Sequence, residues 1–320
     1  MSANLIEILD FMQKCMNNIE RKICRGRPQL YSDASMLLFF VVLSLRRIHT
    51  FKSMENFVAC HYSAFGFPRA PSRKTIRRRF TQMPRVIQSF LPSLMRQGQS
   101  RDFKRFRCSC AFIDKTVFCA KGGIWHAKDI KEGKVPHSCI DTDASRAKSD
   151  YHGWRFGYGL HLICNENRFP VSVCVTAASA KDYLQVETLV SRLTDKIGVL
   201  VGDSGYRIAQ IINTLNDKFG IFLLVPRLFD AKNDIANWYN GIAGTVQAYF
   251  SYKKRKSAVE PVFSLVKELF DLKGESKLPY KGLNNVNDYL CVCAAAVQIM
   301  MYDNFINKRD FGEMTTFLRL

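Results

Sequence analysis

Acidic residues are scarce in this chain. Its 320 residues carry 28 Asp and Glu against 47 Lys and Arg, a formal net charge of +19. That imbalance excludes an acidic, self-solvating protein and favours a polyanionic partner, either nucleic acid or an anionic membrane surface. The deficit is uneven: residues 1–110 hold 20 Lys and Arg and 6 Asp and Glu, a net +14, which leaves +5 for the rest. Long apolar runs are missing too. The longest, Met36 to Leu45, is broken only by Ser44 and is too short to cross a bilayer, so a buried helix is expected there and no membrane association. The opening MSANLIEILD lacks a basic stretch followed by an apolar one, so no signal peptide is expected. Internal repeats and low-complexity segments are absent. The 11 cysteines are odd in number, scattered, and mostly set in apolar segments such as LCVCAAAV (Cys291, Cys293), as in a reducing cytosol and not in a disulfide framework. Cys108, Cys110, His126, His137 and Cys139 match no common structural zinc spacing, and core packing is the expectation for Cys108 and Cys110.

What is present is enough apolar residue, 47%, for a globular protein of one large domain or two modest ones. Residues 1 to about 95 read as all-helical, with apolar periodicity in 5–18, 34–47, 53–60, 72–80 and 85–95 and breaks at Arg25–Pro28, Gly66–Pro71 and Pro84. Ser72 is a plausible N-cap for SRKTIRRRF. In that helix Ile76 and Phe80 share one face, while Arg73, Lys74, Arg77 and Arg78 occupy the rest. With the preceding helix it resembles the second element of a helix-turn-helix, placed in a major groove, or else a helix that is merely solvated or rests on the phosphate backbone. Residues 96–107 (RQGQSRDFKRFR) read as a basic linker. From Cys108 the texture changes to strand candidates at 110–118, 154–164, 168–177, 197–203 and 220–226, with helix candidates at 182–195, 207–218, 251–270 and 286–307. The first three strands suggest an antiparallel meander and the later ones parallel additions. A mixed five-stranded sheet with flanking helices is the RNase H-like α/β pattern. It assigns 1–95 to a helical DNA-binding region, 108–307 to a catalytic domain and 308–320 to a tail. Residues 119–153 are expected to form a long polar loop.

Three carboxylates stand out against the basic background. Asp114 lies in AFIDKTVF and Asp203 in VGDSGY, each inside or at the end of a β-branched apolar run. Glu260 lies in KRKSAVEPVFSLVKELF, where Val259, Phe263, Val266 and Phe270 recur at helical intervals. Strand-end carboxylates brought together with a helix carboxylate repel one another, and divalent metal relieves that repulsion. In a basic chain, this points to metal-dependent phosphoryl transfer on nucleic acid. Lys256, Glu260 and Lys267 fall within about 40° of one another on the helix, so one face shows a carboxylate between two ammonium groups. The plainer alternative is an exposed i, i+4 ion pair between Lys256 and Glu260. His161 alternates with Leu160 and Leu162 as a satisfied strand histidine. Gly202 and Gly205 suit either turn geometry or close backbone approach by metal or phosphate. Trp238 reads as a packed aromatic.

Read together and in this order, IDKT, FGYGLHLI, TAASAKD, GDSGY, SAVEPVFSLVK and KLPYKGLNNVNDYLCVCAAAVQIM resemble the DDE transposases of bacterial insertion sequences. The likeness is to the group whose catalytic glutamate sits in a Tyr–Arg–Glu–Lys helix signature, and it covers roughly residues 30–305. The resemblance implies that Asp114, Asp203 and Glu260 hold two Mg²⁺ ions, with Mn²⁺ a substitute. It implies that Lys267 contacts DNA phosphate and that Tyr252 takes the tyrosine position. The signature's arginine position falls on Lys256, with Arg255 one residue early, and lysine lacks the planar bidentate contact of arginine. The implied activity is binding of terminal inverted repeats, cleavage of the 3′ ends and their joining to target DNA, by a homodimer on double-stranded DNA in the cytoplasm, at the nucleoid. A catalytically inactive DNA-binding descendant and a structure-specific nuclease on the same fold are the alternatives. Residues 227–250 are too few for the β-rich insertion that some relatives carry, so no hairpin route is expected.

Overall fold

The computed structural model describes residues 10–16, 29–100, 109–149, 153–193, 197–225, 234–249, 254–270 and 277–314. Tyr252, residues 101–107 of the basic stretch and the end of the tail lie outside the described residues.

The N-terminal part is helical: a segment over residues 10–16 (α1), then α2 (Asp33–Leu45), α3 (Phe51–His61), α4 (Arg73–Phe80) and α5 (Met83–Ser100). Three of these begin at a hydroxyl that takes a free helical N–H. Ser32 accepts from the Ser35 amide at 3.0 Å, Thr50 from Ser53 at 3.1 Å and Ser72 from Thr75 at 3.4 Å. Pro84, read as a break, instead opens α5, because a helix's first turn has no use for the missing N–H. The helix then continues to Ser100, so the first residues of the stretch read as linker are helical.

The second part contains β1 (Cys110–Cys119), α6 (Ala127–Lys131), β2 (Ser145–Ser149), β3 (Gly153–Asn165), β4 (Pro170–Ala177), α7 (Val186–Val190), β5 (Val199–Val201), α8 (Ala209–Phe219), β6 (Phe222–Leu224), α9 (Asp234–Tyr249), α10 (Lys254–Glu268) and α11 (Leu283–Ile306). β3 runs antiparallel to β1, β2 and β4, while β5 is parallel to β1 and β6 to β5. Gly157 pairs with Cys119 on one side and so meets Ser145 on the other, which places β2 beyond the end of β4. The sheet therefore reads β4-β3-β1-β5-β6, with β2 prolonging the β4 line. This is the expected mixed α/β architecture with six strands among the described residues instead of five. The additional strand, SRAKS, lies in the stretch expected to be loop; it is short, polar and has no apolar alternation. Two aspartates of that stretch are tied to the rest of the fold. Asp141 and Asp143 accept from the amides of Gly282 and Leu283 at 3.0 and 2.9 Å, satisfying donors at the start of α11.

α11 is long and apolar enough to cross a membrane by length and composition, yet 83% of its most apolar window is buried inside the protein. It packs on α2, α5, β4 and α10, so the N-terminal helices and the sheet share one core. Gln298, fully buried in α11, donates to the carbonyls of Leu91 and Pro170 at 3.0 and 2.6 Å and ties α5 to β4. Between β6 and α10, where no element was expected, α9 covers the sheet end. Trp238 meets Phe222 edge-on at 5.8 Å, the packed role anticipated for it.

Candidate active site

The site is set by ladder register. β1 and β5 pair Cys110 with Val199, Ala111 with Leu200 and Phe112 with Val201. Two residues on, the same register sets Asp114 level with Asp203 and on the same sheet face, because side chains repeat every second residue. β5 has ended by then, and Asp203 opens a tight turn over Ser204–Tyr206 in which its Oδ1 accepts from the Gly205 amide at 2.8 Å. Asp114 Oδ1 accepts from the Lys115 amide at 2.9 Å, and its Oδ2 is ion-paired with the Arg255 guanidinium. Burial pushes the Asp114 carboxyl up to about 6; Arg255 opposes the rise and the charge of Asp203 adds to it. Beneath lies Tyr206, fully buried, its ring so close to Gly202 that a Cβ there would stand 2.9 Å from Cδ2. Burial first, then the charges of Asp182, Asp114 and Asp203, raise its hydroxyl well above the usual range.

Two charged groups at this site were not foreseen. Asp182, at the head of the turn after β4, is ion-paired with Lys115, and burial raises its carboxyl while Lys115 opposes and Asp203 adds. The motifs IDKT and TAASAKD held both residues, but nothing in either points to the other. Arg255 is the second. It is buried, and with Val259, Val262 and Val266 it forms the face that α10 lays on the sheet, whereas Lys256 is exposed. The arginine at the first aspartate is thus Arg255, and the one-residue offset from the expected position moves it about 100° around the helix.

Glu260 lies on the exposed side of α10. Among the described residues no three His, Cys, Asp or Glu side chains are gathered as a metal-holding cluster. The structure therefore brings Asp114 and Asp203 together and leaves Glu260 and Lys256 facing outward; Lys267 is half-buried on the same helix. The aspartate pair nonetheless suits a hard divalent cation. Both groups donate oxygen, one is pushed up by burial and by its neighbour's charge, and Arg255 already supplies a positive charge there.

In the N-terminal part, Lys74, Arg77 and Arg78 of α4 are exposed and form no ion pair among the described residues. Arg73 is engaged: its Nε lies 3.1 Å from Glu55 Oε2 and its amide donates to Glu55 Oε1 at 2.7 Å, which joins α3 to α4. His161 is buried, meets Thr176 Oγ1 at 2.8 Å through Nε2 and is pushed down to about 3 by burial and Lys115, so it stays neutral. Its Nδ1 is buried without a hydrogen-bond partner among the described residues, so the histidine expected to be satisfied is bonded at one nitrogen only.

A family model described as the transposase DDE domain matches residues 113–299. Among solved structures, the chain is similar to piggyBac transposase in a synaptic complex with hairpin DNA, at 9% identity and a TM-score of 0.37, over 100% of this chain and 76% of that one. It is also similar to Mos1 in a pre-cleavage transpososome, at 11% identity and a TM-score of 0.23, over 92% and 83% of the two chains. No curated protein matches.

Proposed function

The chain belongs to the transposase DDE domain family, and on that premise we propose that it is an insertion-sequence transposase that cuts DNA at the element ends and joins the 3′ ends to target DNA. The observation that carries this reading is the register that sets Asp114 and Asp203 side by side in a strongly basic chain. Asp114 and Asp203 would hold the divalent cations, Mg²⁺ with Mn²⁺ as substitute, and Glu260, which faces outward on α10, would serve as the third carboxylate only after α10 turns it toward the pair. When bound, such ions supply Lewis-acid charge at the scissile phosphate and lower the pKa of the attacking hydroxyl.

The chain's own residues do the rest. Arg255, released from Asp114, is a buried guanidinium next to the reacting phosphate's position and can neutralise it by a bidentate contact. Lys256 and Lys267 line α10 for phosphate contact, and Tyr252 precedes them in the signature. Lys74, Arg77 and Arg78, with Arg73 through its pairing to Glu55, present α4 to the element end. In the first step a water oxygen bonds to phosphorus and the P–O3′ bond breaks, freeing a 3′-hydroxyl at the element end. In the second, that 3′ oxygen attacks a target phosphodiester, whose own 3′ oxygen leaves. Pairing of two ends before joining calls for a homodimer on double-stranded DNA.

The test is a Mg²⁺-dependent assay on labelled DNA carrying the sequence that flanks this reading frame, with wild type, Asp203→Asn and Glu260→Gln. Cleavage at the element end followed by joining to a plasmid, lost in both variants while end binding persists, is the expected result. Binding without cleavage in either metal would overturn the reading in favour of an inactive DNA-binding descendant. Cleavage without joining would indicate a nuclease.

A further inference from the structure

We propose that Asp182, clamped by Lys115, is a positioning residue that fixes the seat Asp114 and Asp203 offer to a divalent cation; this rests on reading those two aspartates as the metal-holding pair. Lys115 follows Asp114 on β1, so its side chain leaves the opposite face of the sheet. There its ammonium group has three partners. It is ion-paired with Asp182 and donates to the carbonyls of Ala178 and Ala180 at 3.3 and 3.1 Å. All three contacts hold Lys115 on the turn that follows β4. The two side chains are 14% and 23% exposed, too sheltered for the weak, screened behaviour of a surface pair.

The far side of Asp182 faces the Ser204–Tyr206 turn. A Cβ at Gly205 would stand 3.0 Å from Asp203 Oδ1 and 3.4 Å from Asp182 Oδ2, so the two carboxylates flank the same side of Gly205. The Gly205 amide holds Asp203 and the Lys115 amide holds Asp114. The clamp therefore links Lys115, the residue after Asp114, to Asp182, whose carboxylate lies beside the Gly205 turn and feels the charge of Asp203. Asp182 acts through this link, because its own charge is committed to Lys115.

Neutralising Asp182 leaves the Lys115 ammonium without its carboxylate on the turn after β4; neutralising Lys115 leaves the Asp182 carboxylate uncompensated near Asp203. Either change moves the seat, and loss of a residue that orients metal ligands typically weakens metal binding about 10- to 100-fold. The experiment titrates Tb³⁺ alone, read by luminescence, with Mg²⁺ as competitor, into the full-length protein without DNA. It compares wild type, Asp182→Asn, Lys115→Met, the double variant, Asp114→Asn and Asp203→Asn, with folding checked by circular dichroism. The expected result is metal binding about tenfold or more weaker in each single variant of the pair, with the double variant recovering much of the loss. Asp182→Asn binding metal as wild type does, or effects of the two changes that simply multiply, would overturn the proposal. If Asp182→Asn does not fold, Lys115→Met and Lys115→Arg carry the comparison: recovery in the arginine variant supports the clamp, and wild-type binding in the methionine variant overturns it. Should Asp114→Asn and Asp203→Asn leave metal binding untouched, the reading of the aspartate pair falls, and this proposal with it. Loss in those two but not in the Asp182 and Lys115 variants would overturn this proposal alone.

Discussion

The two halves of the candidate site are positioned by different means. Asp114 and Asp203 are placed by a parallel ladder, whose register admits no partial slip: a one-residue error would send both side chains to the other face. The charged residues of α10 are placed by azimuth, where one residue is a rotation of about 100°. On the ladder side, sequence and geometry agree. On the helix side, Arg255 takes the place at Asp114 and Lys256 faces outward, one residue away from the position the signature suggested. A carboxylate on a strand end is thus fixed by pairing, whereas a charge on a helix is fixed only once the packing face is known.

Substitution at the two halves should separate them. The largest effect is expected at the ladder. Asp114→Asn or Asp203→Asn should lower the rate of DNA cleavage at least a thousandfold, on the order of the loss when an essential catalytic group is removed, while binding to element ends persists. On the helix the contrast is between neighbours. Arg255→Ala removes one partner of a buried pair and leaves Asp114 uncompensated beside Asp203, at a cost of about 3 kcal/mol in urea unfolding. Lys256→Ala, on the exposed face, should stay within about 0.5 kcal/mol. Equal losses in the two variants would contradict the assignment of the buried face.

The pH dependence sharpens the same comparison. Asp114 is raised from 3.8 to about 6 in the fold, so the folded state holds its proton longer than the unfolded one. Its contribution to metal-free stability is therefore present below about pH 4 and is lost as pH rises through 6. Metal binding, which needs the carboxylate, should strengthen across the same window. Asp114→Asn should flatten both profiles; a stability profile unchanged in that variant would place the titration elsewhere. The smallest effect is expected at α4. Alanine at Lys74, Arg77 or Arg78 should weaken end binding and reduce the salt slope by about 0.9 for each phosphate no longer neutralised, with cleavage at saturating protein unaffected.

Much of the fold is legible in the chain, and what is not has physical causes. β1, β3 and β4 are long and apolar enough to announce themselves, and Ser72 caps α4 as its chemistry suggests. β2 is hidden because SRAKS lies beyond the end of β4 and has no buried face of its own to encode. α9 (DIANWYNGIAGTVQAY) is hidden because its small and polar residues give the helix no strong apolar stripe. In the site, Asp114 and Asp203 are visible as carboxylates within or just after apolar runs. Asp182 is not, because what gives it a role is an ion pair with Lys115 across two distant motifs, which neither motif encodes alone.

The central claim, that Asp114 and Asp203 form the cation seat of this transposase-family protein, is tested most directly by anomalous scattering from Mn²⁺ in crystals of the protein with element-end DNA. The account predicts a peak between the two carboxylates with the Arg255 guanidinium withdrawn from Asp114. A peak elsewhere, or Arg255 still paired with Asp114 and no metal bound there at saturating Mn²⁺, would contradict it.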